Sequence, residues 1–167
     1  KVWRRIVVPA TIKLSLLHVV LLRAMGWGGG HMHEFTFAQG SYASVEPGLD
    51  LPFDVQDESR VSLRNALKAS ATFTWLYDYG DNWQHKVKVE RAEVMGFALK
   101  HPLCITGQGA CPPDDVGGEP GFENFLQAMA DPAHPEHDEL TGWYGGSFDP
   151  AAFSADDVQA QLDEIKL

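Results

Sequence analysis

The stretch TFTWLYDYGDNWQHKVKVE, Thr72 to Glu90, decides the fold. Two runs rich in aromatic and β-branched residues flank Gly80-Asp81-Asn82, a tripeptide of strong turn formers, so Thr72 to Tyr79 and Trp83 to Glu90 read as the arms of a β-hairpin. Side chains alternate across a strand. Phe73, Trp75, Tyr77, Tyr79, Trp83, His85, Val87 and Val89 therefore share one face, and Thr72, Thr74, Gln84, Lys86 and Lys88 the other. The first face is core and the second is wet. A three-residue turn sets Tyr77 opposite His85 and Tyr79 opposite Trp83, within cross-strand reach.

Upstream of the hairpin, His31 to Phe37 alternates as a second strand with His31, His33, Phe35 and Phe37 on one face. Trp3 to Val8 reads as a third, stopped by Pro9. Leu14, Leu17, Leu21 and Met25 recur at helical spacing, with Thr11 as the expected N-cap and Gly26 as the stop. That helix is apolar around most of its circumference, so His18 reads as a core or rim histidine. Residues 38 to 59 read as an irregular excursion carrying Gly40, Pro47, Gly48 and Pro52, after which Ser62 caps a short helix through Lys68.

Downstream, Pro102 to Gly121 reads as a long glycine- and proline-rich loop of the kind that carries function. A helix follows with Phe122, Phe125, Leu126 and Met129 on one stripe, ending before Pro132. Pro135 is placed to open another, running toward Trp143 and broken at Gly145 and Gly146. The last helix starts with a capping box, Ser154 with Asp157, and a staple, Phe153 with Val158; Val158, Leu162 and Ile165 form its apolar stripe. The expected architecture is one α+β domain over residues 1–167, a mainly antiparallel sheet with helices packed on it.

A chain of 167 residues can bury one sizeable core, and its 44% hydrophobic and 22% charged residues are those of a folded protein rather than a disordered one. The net charge of -10 is uneven. Residues 1 to 33 hold five Lys or Arg and no acid, whereas 101 to 167 hold thirteen acids and Lys166 alone. Duplex nucleic acid is a poor partner for such a surface, because phosphate binding needs clustered cations. Two cysteines are too few for a disulfide framework, which favours a reducing compartment. Lys1, Arg4 and Arg5 ahead of an apolar stretch mimic a signal peptide, but Pro9, Lys13, His18 and Arg23 interrupt it. The uninterrupted run Val19 to Leu22 is far short of the ~20 residues that span a bilayer. The protein is expected to be cytoplasmic and untethered. The sequence starts at Lys1 rather than Met, and an upstream strand is expected to be missing from it.

Four groups of residues carry chemistry. Asp78, Asp81 and His85 flank the aromatic hairpin, and carboxylates beside an imidazole serve acid-base chemistry or a divalent ion. Regular pairing points Asp78 away from His85, leaving Asp81 as the nearer acid. The competing reading makes Gly80 and Asp81 a turn, Asp78 a ligand of backbone amides and His85 a packed ring. Cys104 and Cys111 stand six residues apart, wider than a compact zinc knuckle, with no second pair. Cys111-Pro112-Pro113-Asp114-Asp115-Val116-Gly117-Gly118 reads as a stiff loop whose glycines allow close backbone approach. His31 with His33, and His134 with His137, are the remaining ligand groups; neither has the spacing of a zincin helix.

In order along the chain, Trp3-Arg4-Arg5-Ile6, Leu17-His18 through Met25-Gly26-Trp27, His31-Met32-His33-Glu34-Phe35 and Tyr77 through His85 resemble the plasmid pRiA4b open-reading-frame-three-like family. Cys111 to Asp115, Ala130-Asp131-Pro132 with His134 to His137, and Gly145-Gly146 with Phe148-Asp149-Pro150 continue the resemblance over nearly the whole chain. It implies a compact α+β fold and, for some members, a label as a passenger protein of a transposable element, related in name to resolvases. Members often carry a third cysteine where this chain has Val116, so a three-cysteine metal site would be incomplete here. A resolvase would need a serine nucleophile among arginines and a DNA-binding tail, which the acidic C-terminal third does not supply.

The leading expectation is a binding or accessory module with an aromatic-acidic groove. Tyr77, Tyr79, Trp83 and His85 would form its wall, Asp78, Asp81, Asp114 and Asp115 would draw a cationic or hydrogen-bonding partner, and Cys111 would border it. The partner would be a small molecule, a protein or a peptide. The alternative is a metal-dependent hydrolase using a divalent ion held by three of His31, His33, Asp81, His85, His134 and His137. A transposition-associated DNA accessory is the third reading.

Overall fold

The computed structural model describes residues 1–45 and 54–167. Its centre is a five-stranded sheet in the order β4-β3-β2-β5-β6, with β2 at His33–Phe37, β3 at Gly40–Ala43, β4 at Val55–Asp57, β5 at Thr72–Tyr77 and β6 at Trp83–Lys88. Neighbours run antiparallel except β3 and β4, which are parallel. A separate antiparallel pair joins β1, Trp3–Val7, to β7, Leu103–Gln108. The helices are α1 (Leu14–Met25), α2 (Leu63–Leu67), α3 (Gly118–Ala130), α4 (His137–Tyr144) and α5 (Ala155–Leu162). The expected α+β class with a mainly antiparallel sheet is what the chain adopts.

Alternation along β2 and β5 puts His33, Phe35 and Phe37, and Phe73, Trp75 and Tyr77, on the buried side. There they meet Leu14, Leu17 and Val20 of α1 in one apolar cluster that also takes in Trp27, Trp83 and Leu162. Aromatic side chains each bury roughly 150–250 Å², so this ring-rich cluster supplies much of the driving force for folding. Helix α5 is anchored beside β7 by Gln159, whose Oε1 accepts from the Cys104 amide at 2.8 Å and whose Nε2 donates to the Pro102 carbonyl at 3.0 Å.

Local signals held where their physics is local. Ser62 Oγ accepts from the Asn65 amide and Ser154 Oγ from the Asp157 amide, the side-chain caps expected for α2 and α5. Gly26 closes α1 in the left-handed region at φ 117°.

Several boundaries differ. Lys13, not Thr11, is the N-cap of α1, and α4 begins at His137 rather than Pro135. The supposed excursion from 38 to 59 contains β3 and β4, while its Pro47, Gly48 and Pro52 lie outside the described residues. The supposed loop from Pro102 contains β7, which pairs with β1 across the length of the chain. Pairing that distant leaves no local trace in the sequence.

The hairpin register is also corrected. Tyr77 faces Trp83 and Trp75 faces His85, so the loop runs from Asp78 to Asn82. Its cause is Asp78, which leaves the strand at φ 60°; its Oδ1 accepts from the amides of Gly80 at 2.8 Å and Asp81 at 3.3 Å. This is an aspartate's usual way of closing a turn.

Candidate functional site

Three loops converge beside the C-terminal end of β5. One follows α1 and carries Trp27 to Met32, one is the hairpin loop Asp78 to Asn82, and one is Pro112 to Gly117, which enters α3 at Gly118. Trp27 Nε1 donates to the Pro112 carbonyl at 2.9 Å, joining the first loop to the third. The Gly117 amide donates to Asp81 Oδ2 at 3.1 Å, joining the third to the second. The Asp78 amide donates to the Met32 carbonyl at 2.8 Å, joining the second to the first.

Gly118 shows how tight the closure is. It sits at φ 67°, and a Cβ there would lie 2.4 Å from the Asp81 carbonyl oxygen. Only glycine allows that approach.

His31 stands at the centre of this junction. Its Nδ1 lies 3.5 Å from Asp78 Oδ2, and its Nε2 lies 3.2 Å from Asp115 Oδ1. Asp78 thus divides its oxygens, one holding the turn and one facing the imidazole. Next to Asp115, Asp114 accepts from the Tyr77 hydroxyl at 3.4 Å. Burial raises the Asp114 carboxyl pKa, against the opposing pull of His31 and the Gly28 amide. Burial, and then Asp114, raise the Tyr77 phenol, which stays protonated as a donor. Exposure grades across the group: the side chains of Asp78, His31 and Asp115 are 12%, 29% and 72% accessible. The cluster is rooted in the core and opens outward.

Among the described residues, His31, Asp78 and Asp115 are the one set of three metal-competent side chains whose ligand atoms come together, all within 4.8 Å of one another. The set expected from sequence is not assembled. Of its six members only His31 belongs to this cluster. His33 Nε2 meets Glu58 Oε2 at 2.7 Å inside the protein. His85 donates from Nδ1 to the Trp75 carbonyl, and burial lowers its pKa. Asp81 holds the Gly117 amide. His137 donates to the Ala128 carbonyl and His134 accepts from the Glu136 amide, both fastening the α3–α4 junction.

The aromatic wall is likewise placed differently. Tyr77 and Trp83 are buried, at 0% and 8% exposure, and His85 packs edge-on against Trp27. Their rings are core, so the polar ends of the loops, not aromatic faces, meet solvent. Tyr79 is the exception; it is 46% exposed and donates to Glu34. Cys111 packs against the core with its thiol pushed up to about 12 by burial, which disfavours the thiolate that a nucleophile needs at neutral pH. The sequence pattern alone does not single out Trp27 as a site organiser, although a tryptophan set between Gly26 and Gly28 marks a place where chain and ring pack closely.

An α+β domain with its polar residues gathered at a junction of three loops is the class this geometry defines. The chain belongs to the family of plasmid pRiA4b ORF-3-like proteins, whose model matches residues 1–157. It is similar to the uncharacterized protein y4hQ of Sinorhizobium fredii (strain NBRC 101917 / NGR234), at 40% identity over 168 residues, spanning 98% of this chain and 84% of that protein. The fold is similar to the crystal structure of MM3350, a protein of unknown function from Methanosarcina mazei Go1. The TM-score is 0.81 at 29% identity, over 93% of this chain and 88% of that one. Neither relative's name states an activity.

Proposed function

We propose that this chain is a binding module that takes a cationic group at the loop junction formed by His31, Asp78, Asp114 and Asp115. The observation that carries the reading is the charge count there: three carboxylates converge, and the one imidazole of His31 lies against both Asp78 and Asp115. One imidazole offsets at most one of three negative charges, leaving a site that draws cations from solvent. Asp115, with Met32 and Tyr79, which follow His31 and Asp78 in the chain and are 61% and 46% exposed, supplies an accessible rim of mixed polarity.

Among the described residues no helix is long and apolar enough to cross a membrane. The free thiols of Cys104 and Cys111 support a reducing, cytoplasmic setting.

Thermal unfolding with spermidine, arginine and divalent cations tests the module. At least one class should raise the wild-type midpoint, and Asp115→Asn should lose the effect. Equal response in the variant, or no response to any cation, sinks the reading.

A further inference from the structure

The loop junction holds more than negative charge, because an imidazole sits among its carboxylates. We propose that His31, Asp78 and Asp115 bind one divalent transition-metal ion, of the manganese, iron, cobalt or zinc type. This deepens, and rests on, the reading of the junction as a cation site.

Geometry is the first support. Ligands at roughly 2.0–2.2 Å from a common ion in a tetrahedral arrangement lie about 3.3–3.6 Å apart. The three ligand atoms here are within 4.8 Å of one another, with Asp78 Oδ2 on the Nδ1 side of the ring and Asp115 Oδ1 on the Nε2 side. One nitrogen ligates, so an ångström or more of closure is needed, and Asp115, with an accessible side chain, is free to supply it.

Preorganisation is the second. Asp78 Oδ1 is spent on the Gly80 and Asp81 amides, which fixes the carboxylate and leaves Oδ2 toward His31. The Tyr77 hydroxyl and its bond to Asp114 stand behind the cluster, the kind of outer support that metal ligands use.

Donor type selects the ion. One imidazole nitrogen with carboxylate oxygens suits the borderline divalent metals. Calcium and magnesium favour all-oxygen sites, and soft ions favour thiolates, whereas no cysteine belongs to the converging set. Three protein ligands, one of them at the surface, leave coordination positions for water or a ligand group.

The test uses the full chain, stripped with chelator and then titrated with Zn2+, Mn2+ or Co2+ alone. Calorimetry with elemental analysis should give one ion per chain, with Ca2+ and Mg2+ weaker. His31→Gln and Asp115→Asn should each weaken binding at least about tenfold. The Asp115 side chain is exposed, so its variant folds even if the other fails. Bound Co2+ should show visible ligand-field bands without thiolate charge transfer.

Substoichiometric metal overturns the proposal. So does binding that survives Asp115→Asn but is lost in a His134→Ala, His137→Ala variant. If spermidine or arginine binds and Asp115→Asn abolishes it while no metal binds, the metal inference fails and the cation module stands. If nothing binds, both fail.

Discussion

The imidazole rings of His18 and His33 lie face to face, 3.3 Å between centroids and 5° from parallel. His18 Nδ1 accepts from Trp75 Nε1 at 3.2 Å, so its proton is on Nε2 and the ring is neutral. At its edge, His33 Nε2 meets Glu58 Oε2 at 2.7 Å. A second proton on His18 would break the Trp75 bond and set a charge against His33 in a buried stack.

Burial first, and His33 second, hold the His18 pKa down at about 3, against an unfolded value of 6.5. Below pH 6.5 the unfolded chain takes up a proton that the folded chain refuses until about pH 3. Stability from this site is therefore complete above pH 6.5 and falls between there and pH 3, by about 1.4 kcal/mol for each unit of separation traversed. Urea unfolding at several pH values should show a flatter decline in His18→Gln, which keeps an acceptor for Trp75 but does not titrate. Parallel curves for the two proteins would overturn this account.

The His33–Glu58 pair predicts a second effect. Both side chains are almost fully buried, at 7% and 5% exposure, and His33 Nε2 and Glu58 Oε2 are hydrogen-bond partners at 2.7 Å. Removing one member leaves a buried polar group unsatisfied, at a cost of about 1–3 kcal/mol, more where that group is charged. Glu58→Leu should lower stability by that order in chemical denaturation, and Glu58→Leu combined with His33→Phe should recover a good part of it. A single variant as stable as wild type would show that the pair contributes little.

These relationships explain what could be read from the chain and what could not. The hairpin, the alternation of β2, and the Ser62 and Ser154 caps depend on neighbours within a few residues, and all were legible. The register was not, because one aspartate's turn bonds end β5 at Tyr77 and carry Asp78 into the left-handed region. Leu103 to Thr106 bears β-formers, yet its partner is β1, a distance no periodicity reports. Asp78, Asp114, Asp115 and His31 each stand out in the sequence, but separately. Their convergence depends on Trp27 and Gly118 pulling three loops together, which is tertiary information.

Cysteine reactivity offers a third prediction. Burial pushes the Cys111 thiol up to about 12 and raises that of Cys104 as well, with Arg4 opposing both. At pH 8 the Cys111 thiolate should be roughly a thousandfold rarer than for a thiol of ordinary pKa. Alkylation by iodoacetamide, followed by peptide mass mapping, should be slow at Cys111 in the folded protein and fast in urea. Rapid labelling of Cys111 without denaturant would restore it as a candidate nucleophile.

The loop junction itself predicts a contrast between two glycines. At Gly118 a new Cβ would lie 2.4 Å from the Asp81 carbonyl oxygen, a backbone atom that cannot swing aside, and the residue sits at φ 67°. Alanine there must push the Pro112 to Gly117 loop off the hairpin loop, separating Asp115 from Asp78 while straining the backbone. Gly28 differs, since a Cβ there would meet nothing within 4 Å. Gly118→Ala should therefore cost about 1–3 kcal/mol and weaken any cation response, whereas Gly28→Ala should stay within about 0.5 kcal/mol of wild type. Denaturation midpoints and metal titration measured side by side decide the matter. If Gly118→Ala matched Gly28→Ala in both, the close approach of the two loops would not be what holds the carboxylates together.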